Sequence, residues 1–225
     1  MTFASSRIIE PASPTDPWPA ATAMARNPRF AASRRRLLRG LSAAVAVGTS
    51  AVMLPLPSAY AHGSLGPVLP PQPVKDLPIR CSDGRRVALT SLLKGRITAI
   101  QFMFTGCSAT CPLQGAIFSE AQGLLPARSR ESVQLLSLSI DPLADDPKSL
   151  SRWLAGFGAG RRWLAGAPEP GAVKTMRSMF LAPGDPVDDH DTQVYLIDSL
   201  GQLVYRTGPL PPPRQIATLV ARLAG

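Results

Sequence analysis

An almost continuous apolar run at residues 97–104 leads into two cysteines and then into a helical pattern. A run with so few polar residues predicts a strand covered on both faces, at the centre of an α/β sheet. Gly106 permits a sharp turn, and Pro112 suits the first turn of a helix, where a missing N–H costs nothing. Apolar residues at helical spacing follow. Cys107 and Cys111 are therefore predicted to lie where a buried strand delivers the chain to a helix N-terminus.

The two cysteines lie in a position that favours reactivity. The positive end of a helix dipole stabilises a thiolate relative to a thiol. With three residues between them, Cys107 and Cys111 can point both sulfur atoms at one spot if the loop folds over. Thiolates are soft ligands that suit Cu(I) or Zn(II), and they also take part in redox exchange. The structural alternative is that both cysteines are small buried residues in an ordinary strand-to-helix turn.

Strand and helix patterns alternate through the rest of the chain. Residues 77–89 predict a hairpin with a tight turn at Asp83-Gly84. Further strands are predicted at 133–140, 161–164, 194–197 and 202–206, with helical patterns between them and at the C-terminus. The fold class predicted from this pattern is α/β, thioredoxin-like, with a mixed central β-sheet, helices on both faces and an N-terminal hairpin extension. Cys81, at the end of the first hairpin strand, is interpreted as a small filler residue.

His190 is one of only two histidines in the chain, and it lies shortly before the predicted strand at 194–197. In a thioredoxin-like sheet, the loop that enters this strand lies against the cysteine turn. Cys107, Cys111 and His190 are therefore expected to be able to converge on one point. The alternative is a solvated histidine in the acidic loop that contains Asp188, Asp189 and Asp191.

The first 61 residues have the composition of an export signal. A Ser-Arg-Arg-Arg-Leu-Leu-Arg segment at 33–39 precedes an apolar run at 40–54, and Ala61 ends a small-x-small cleavage site. The basic segment resembles a twin-arginine export motif. The domain prediction is a signal at 1–61 cleaved after Ala61, a Gly/Pro linker at 62–74 and one folded domain at 75–225. An uncleaved membrane anchor is the alternative, although 15 apolar residues are fewer than the roughly 20 that span a bilayer.

The basic charge of the chain is concentrated near its N-terminus. The formal net charge is +9, and residues 1–61 hold seven arginines against two acidic residues. No basic patch with interleaved aromatic residues is evident, so the charge does not predict nucleic-acid binding.

Three segments of the chain together form a specific pattern. They are Phe102-Met103-Phe104-Thr105-Gly106-Cys107-Ser108-Ala109-Thr110-Cys111-Pro112, then Ser139-Ile140-Asp141-Pro142, then Asp189-His190 with the following Val194-Tyr195-Leu196-Ile197-Asp198 and Gly201. With these segments the chain resembles the Sco/SenC family of copper-binding proteins that assist cytochrome c oxidase assembly. The likeness covers roughly residues 70–225. It implies that Cys107, Cys111 and His190 are the copper ligands.

The same resemblance implies a copper chaperone rather than an enzyme, carrying Cu(I) or Cu(II). Its expected partners are a cytochrome c oxidase subunit or another copper acceptor and a thiol reductant. The twin-arginine-like signal at 1–61 predicts that the protein is exported to the periplasm. The alternative is a chain anchored in the inner membrane and facing the periplasm, so membrane contact is expected to be peripheral or through the anchor.

The alternative function is a periplasmic thiol–disulfide oxidoreductase that uses Cys107 and Cys111 as its redox pair. The three-residue spacer argues against it, because redox thioredoxins have two residues between their cysteines. A peroxiredoxin fits less well, because its pattern places a threonine three residues before the cysteine and Thr105 lies two before Cys107.

Overall fold

The computed structural model describes residues 65–125, 132–185 and 187–225, so the predicted export signal at 1–61 lies outside the described residues. The strands in these ranges are β1 (Gly66–Pro73), β2 (Pro78–Cys81), β3 (Arg86–Ala88), β4 (Ile97–Met103), β5 (Val133–Ser139), β6 (Trp163–Pro168), β7 (Tyr195–Ile197) and β8 (Gln202–Arg206). The helices are α1 (Leu89–Leu93), α2 (Thr110–Leu124), α3 (Pro147–Gly156), α4 (Val173–Ser178) and α5 (Pro213–Leu223). Among the described residues, none of these helices has the length and apolar character that a membrane crossing needs.

All eight strands join one mixed sheet in the order β1-β8-β7-β4-β5-β6-β2-β3. The pairs β4–β5 and β5–β6 are parallel, and the other neighbours are antiparallel. Strand β4 lies inside the sheet and pairs over its full length with β5, from Ile97 opposite Val133 to Met103 opposite Ser139. The predicted mixed sheet is confirmed, and the predicted hairpin, β2–β3, extends it at one edge.

Side chains of β4 alternate between two cores because successive residues of a strand point to opposite faces. Ile100 and Phe102 pack into a core that includes residues of α1 and Met176 of α4. Ile97 and Ala99 pack into a second core with residues of α2 and α5. Every residue of β4 is buried, as predicted from its apolar sequence.

The predicted linker at 62–74 differs from the structure at residues 66–73. These residues form β1, an edge strand that pairs antiparallel with β8 and has an irregular register between Pro67 and Gln72. Proline and glycine favour a linker interpretation because they weaken regular ladders. An edge strand tolerates them, because the N–H groups on its outer side have no partner strand to bond. The folded unit therefore begins before residue 75.

Two local sequence signals are confirmed in atomic detail: the turn at Asp83-Gly84, and the Asp146-Pro147 pair, which is typical of an N-cap and the first turn of a helix. Gly84 takes a positive φ of 84° in the hairpin turn, and its N–H donates to the carbonyl of Cys81. Asp146 is the N-cap of α3, where its carboxylate accepts a 2.7 Å hydrogen bond from the N–H of Ser149.

Two glycines of α2 provide a matched test of its packing. A Cβ at Gly115 would lie 2.5 Å from the ring of Phe157, which itself packs against two tryptophans, whereas a Cβ at Gly123 meets nothing within 4 Å. We expect Gly115→Ala to lower the free energy of unfolding by about 1–3 kcal/mol through overpacking. Gly123→Ala should raise it by up to about 1 kcal/mol through helix propensity. Urea unfolding of both variants measures this, and a stabilised Gly115→Ala would contradict the packing.

Candidate metal centre

The two cysteines lie in the loop between the carboxyl end of β4 and the first turn of α2. The N–H of Cys107 donates to the carbonyl of Phe104 at 3.2 Å, which folds the chain back at the end of the strand. Cys107 is half-buried, whereas Cys111 is only 3% exposed. The two cysteines pack against a small apolar cluster that includes Met103 and Leu150. One sulfur is therefore accessible from solvent and the other faces the core.

The loop directs hydrogen bonds at the sulfur of Cys107. The N–H of Cys111 donates to this sulfur at 3.4 Å, and the hydroxyl of Thr110 lies 4.0 Å from it. Desolvation is the largest influence on the Cys107 pKa and acts to raise it. Hydrogen bonds from the N–H and thiol of Cys111 and from the N–H groups of Ala109 and Thr110 outweigh it, and together they lower this pKa to about 7.

Cys111 behaves in the opposite way. Burial, followed by its hydrogen bond to the sulfur of Cys107, raises the pKa of the Cys111 thiol to about 12. Near neutral pH the pair therefore holds one accessible thiolate and one buried thiol beside it. Such a pair can act as a nucleophile with a resolving thiol, or as two soft metal donors once the second proton is lost.

The cysteine loop is held at its start by the buried carboxylate of Asp145. The N–H of Thr105 donates to both carboxylate oxygens, at 3.2 and 3.1 Å, and its hydroxyl donates at 2.5 Å. The hydroxyl of Ser139, the last residue of β5, donates to the same carboxylate at 2.6 Å. Asp145 thus ties together the carboxyl ends of the two central parallel strands, just before the cysteines.

Asp145 was not identified by sequence reasoning. One sequence signal could have identified it. Asp146 already serves as the helix N-cap, so the adjacent Asp145 is not needed for capping and is a candidate for another role. The loop that contains Asp145 is held from a distant element as well, because the guanidinium of Arg80 on β2 donates to the carbonyls of Pro142 and Asp145.

His190 lies in the loop before β7 with its side chain 60% exposed. Its backbone N–H donates to the carboxylate of Asp188 at 2.8 Å, and its Nδ1 lies 3.9 Å from that carboxylate. The buried guanidinium of Arg177 holds the same loop, since it donates to the carboxylate of Asp189 at 2.5 Å and to the carbonyl of Asp188. Arg177 is a second residue that sequence reasoning missed.

The loop is held on the other side of His190 as well. The side-chain amide of Gln114, one turn after Cys111 in α2, donates to the carbonyl of Asp191 at 3.4 Å. The Tyr195 hydroxyl donates to the Asp191 carboxylate. Burial raises the pKa of this carboxyl, although the bonds from Tyr195 and Gln193 act against it. The residue that follows His190 is thus in contact with the cysteine helix.

The structure brings Cys107 and Cys111 together but does not bring His190 into a cluster with them. Across residues 65–125, 132–185 and 187–225, no group of three His, Cys, Asp or Glu side chains is arranged to hold a metal ion. The donor types nevertheless fit copper better than a hard cation, because two sulfurs and an imidazole are soft to intermediate ligands. Cys81 is separate from this pair: it is buried on β2, and desolvation raises the pKa of its thiol.

A sequence model of the SCO1/SenC family matches residues 81–225. The chain is 31% identical over 130 residues to a protein of Bacillus subtilis described as an SCO1 protein homolog, covering 54% of this chain and 66% of that protein. It is 38% identical over 80 residues to a protein of Stutzerimonas stutzeri that bears the name "Putative copper-binding protein", covering 36% of this chain and 39% of that one. The matches thus span less than two thirds of the length of either curated relative.

Solved structures have the same fold. A SCO1/SenC family lipoprotein from Bacillus anthracis superposes with a TM-score of 0.59 at 24% identity, covering 70% of this chain and 99% of that one. BsSco, described as a member of the Sco family of cytochrome c oxidase assembly proteins with a disulfide switch, gives a TM-score of 0.57 at 22% identity, covering 68% and 94%. The predicted thioredoxin-like α/β fold is confirmed by these similarities.

The unequal pKa values of the two thiols predict selective alkylation. In the reduced chain, the reaction of Cys107 with iodoacetamide should rise with pH through a midpoint near pH 7, because the thiolate is the nucleophile. Cys111 and Cys81 should remain largely unmodified in this range because both are buried and protonated. Mass spectrometry of digested samples locates the label, and Cys107→Ser should abolish the reaction below pH 8. A midpoint near the ordinary value of 9.0 would contradict the predicted activation.

Two neighbouring aspartates test the anchor of the cysteine loop. Asp145→Asn should lower the free energy of unfolding by at least about 2 kcal/mol, since an amide N–H₂ would face buried donors that now bond a carboxylate. Asp146→Asn should change it by less than about 0.5 kcal/mol, because asparagine caps a helix as well as aspartate. Chemical denaturation measures both, and equal effects would refute the role of Asp145.

Proposed function

The chain belongs to the SCO1/SenC family, and on that basis we propose that it is a copper chaperone. It binds one copper ion through Cys107, Cys111 and His190 and delivers it to a copper centre of cytochrome c oxidase or a similar respiratory cuproenzyme. The single observation that supports it most is the cysteine pair itself, which offers an activated, half-buried sulfur directly beside a second one.

The two cysteine sulfurs are suited to a soft metal ion such as Cu(I). Thiolates prefer Cu(I) to hard cations such as Mg²⁺ or Ca²⁺, and two sulfurs with one imidazole make a three-coordinate set. Zn²⁺ would normally take a fourth ligand. The lowered pKa of Cys107 means that the first sulfur binds copper near neutral pH with little competition from protons. The thiol of Cys111 must lose its proton when its sulfur, the second one, binds the copper ion.

His190 is the third ligand in this proposal, and it has to turn toward the cysteines to act as one. Its exposed side chain has room to reorient. The loop on either side of it is already held. Arg177 donates to the carbonyl of Asp188 and to the carboxylate of Asp189, and Gln114 of the cysteine helix donates to the carbonyl of Asp191. Such a loop restricts where the imidazole can go without fixing it in place, which suits a carrier that must also release its metal.

The proposed location is the periplasm, with residues 1–61 as the export signal cleaved after Ala61; an uncleaved anchor in the inner membrane is the alternative. Delivery there would require a copper acceptor and a thiol reductant that keeps the two cysteines reduced. The proposed acceptor is a cytochrome c oxidase subunit or another copper protein. The relatives support this proposal, since one bears the name "Putative copper-binding protein" and another is described as a member of a cytochrome c oxidase assembly family.

A thiol–disulfide oxidoreductase is the second candidate, and the unequal thiols favour it. A thiolate with a pKa near ambient pH is the best attacking group in thiol–disulfide exchange. Cys107 has this pKa, and the adjacent Cys111 thiol could resolve a mixed disulfide. The two functions are compatible, because a carrier whose cysteines also reduce an acceptor's copper-binding cysteines uses the same pair.

Copper binding to the reduced chain distinguishes these functions. We expect one Cu(I) per chain, lost in Cys107→Ser and weakened about tenfold or more in His190→Ala, because each removes a ligand. His62→Ala is the matched control, since it removes the only other histidine. Competition titration against a Cu(I) chelator gives the affinities.

Two outcomes would overturn parts of this proposal. Equal Cu(I) affinity in His190→Ala and His62→Ala would remove His190 from the site while leaving the cysteine pair as the carrier. The absence of tight copper, together with rapid exchange of a Cys107–Cys111 disulfide with a dithiol, would establish the oxidoreductase instead.

A further inference from the structure

A cavity of about 1020 Å³ opens at the amino ends of the central strands. Its walls come from the turn and second strand of the β2–β3 hairpin, from α1, from the end of α2 and from the residues that begin β5 and β6. The volume is at the upper end of the range of pockets that bind small organic ligands.

Positive charge dominates the described lining of this cavity. Four arginines line it, namely Arg85, Arg96, Arg161 and Arg162, and no aspartate or glutamate is among the described residues that line it. Arg85, Arg96 and Arg161 are exposed and Arg162 is half-buried, and an anion that enters the cavity would be attracted by each of these guanidinium groups. The composition therefore indicates a site for a multiply charged anion.

Arg162 lines this cavity, and its guanidinium is incompletely hydrogen-bonded. Its Nη1 is buried and has no hydrogen-bond partner among the described residues. Buried polar atoms in native proteins are nearly always bonded, so an orphaned guanidinium nitrogen calls for an acceptor. Arg85 is the one member of the four with an ion pair in the described chain, to the exposed Asp83. Among the described residues, Arg96, Arg161 and Arg162 thus have no ion pair, and their charges are available to a ligand.

The rest of the lining is apolar or weakly polar. Leu92, Leu125, Val133, Leu135 and Leu164 form most of the apolar wall. The amide of Gln134 is directed elsewhere, since it donates to the carbonyl of Leu92 and to the hydroxyl of Thr98. The arginines are therefore the groups that would select a ligand.

The cavity is at the opposite end of the sheet from the cysteines. Arg96 directly precedes β4, and Arg161 and Arg162 directly precede β6, whereas Cys107 and Cys111 follow the carboxyl end of β4. A strand of seven residues such as β4 spans about 20 Å. Parallel strands place their amino ends on the same side of the sheet, so the two sites lie at opposite ends of the strands, about one strand length apart.

From these observations we propose that the cavity binds a phosphate-bearing anion through Arg96, Arg161 and Arg162. A guanidinium donates two parallel hydrogen bonds to phosphate oxygens, and three such groups match a ligand with more than one negative charge. A soluble phosphate or diphosphate and the headgroup of an anionic phospholipid share this chemistry. The site makes no use of the cysteines, so it is independent of copper binding.

Binding of inorganic pyrophosphate to the full chain tests this proposal, with inorganic phosphate and phosphatidylglycerol vesicles as further probes. Arg162→Gln keeps the side chain polar but removes its charge, and it should weaken binding about tenfold or more. Arg161→Gln is the second variant; its side chain is exposed, so its loss should not disturb folding. Arg214→Gln, an exposed arginine of α5 outside the cavity, is the matched control. Calorimetry measures the soluble anions and co-sedimentation measures the vesicles.

Each outcome supports or overturns the site. Pyrophosphate binding that is weakened by Arg162→Gln and Arg161→Gln, but not by Arg214→Gln, supports a soluble phosphate ligand. The same pattern with the vesicles alone supports a phospholipid headgroup. No binding to any of the three probes, or equal weakening by all three variants, overturns the proposal.

Discussion

The parallel ladder between β4 and β5 is the constraint on which the rest of the structure depends. All seven residues of β4 pair with β5 and all are buried, so the strand needs a partner on each side and helices on both faces. Strand β7 provides the second partner, and the helices of the two cores cover the faces. Because both strands run the same way, their carboxyl ends meet, and the loops that leave them can be tied by one carboxylate.

Asp145 forms that tie, and it explains how a short loop can hold a reactive cysteine pair. Its carboxylate accepts from Thr105 on one strand exit and from Ser139 on the other. The fixed loop then directs N–H groups at the sulfur of Cys107, while Cys111 is turned into the core. The same strand direction places Arg96, Arg161 and Arg162 together at the other edge. The parallel direction of the central strands thus places the cysteine pair and the arginine-lined cavity at opposite ends of these strands.

The sequence predicted those parts of the fold that have local causes. The apolar run of β4, the turn at Gly84 and the cap at Asp146 each follow from a few neighbouring residues, and each is present. The linker prediction failed at β1, because whether a proline-rich segment can pair depends on whether it lies at an edge. The bonds of Asp145 to Thr105 and of Arg177 to Asp189 could not be predicted, because these partners are 40 and 12 residues apart in the sequence and are brought close only by folding.

The sequence by itself determined the cysteine pair, its place between a buried strand and a helix, and the fold class, because hydrophobic periodicity and turn chemistry act over short distances along the chain. Only the tertiary structure decided that Cys107 is the activated sulfur, that His190 stays exposed beside the cysteine helix, and that arginines from separate segments line one cavity. These properties depend on burial and on contacts between residues far apart in sequence. The burial of a side chain and its distance from other residues are set only when the strands and helices pack together, so neither can be read from the sequence pattern.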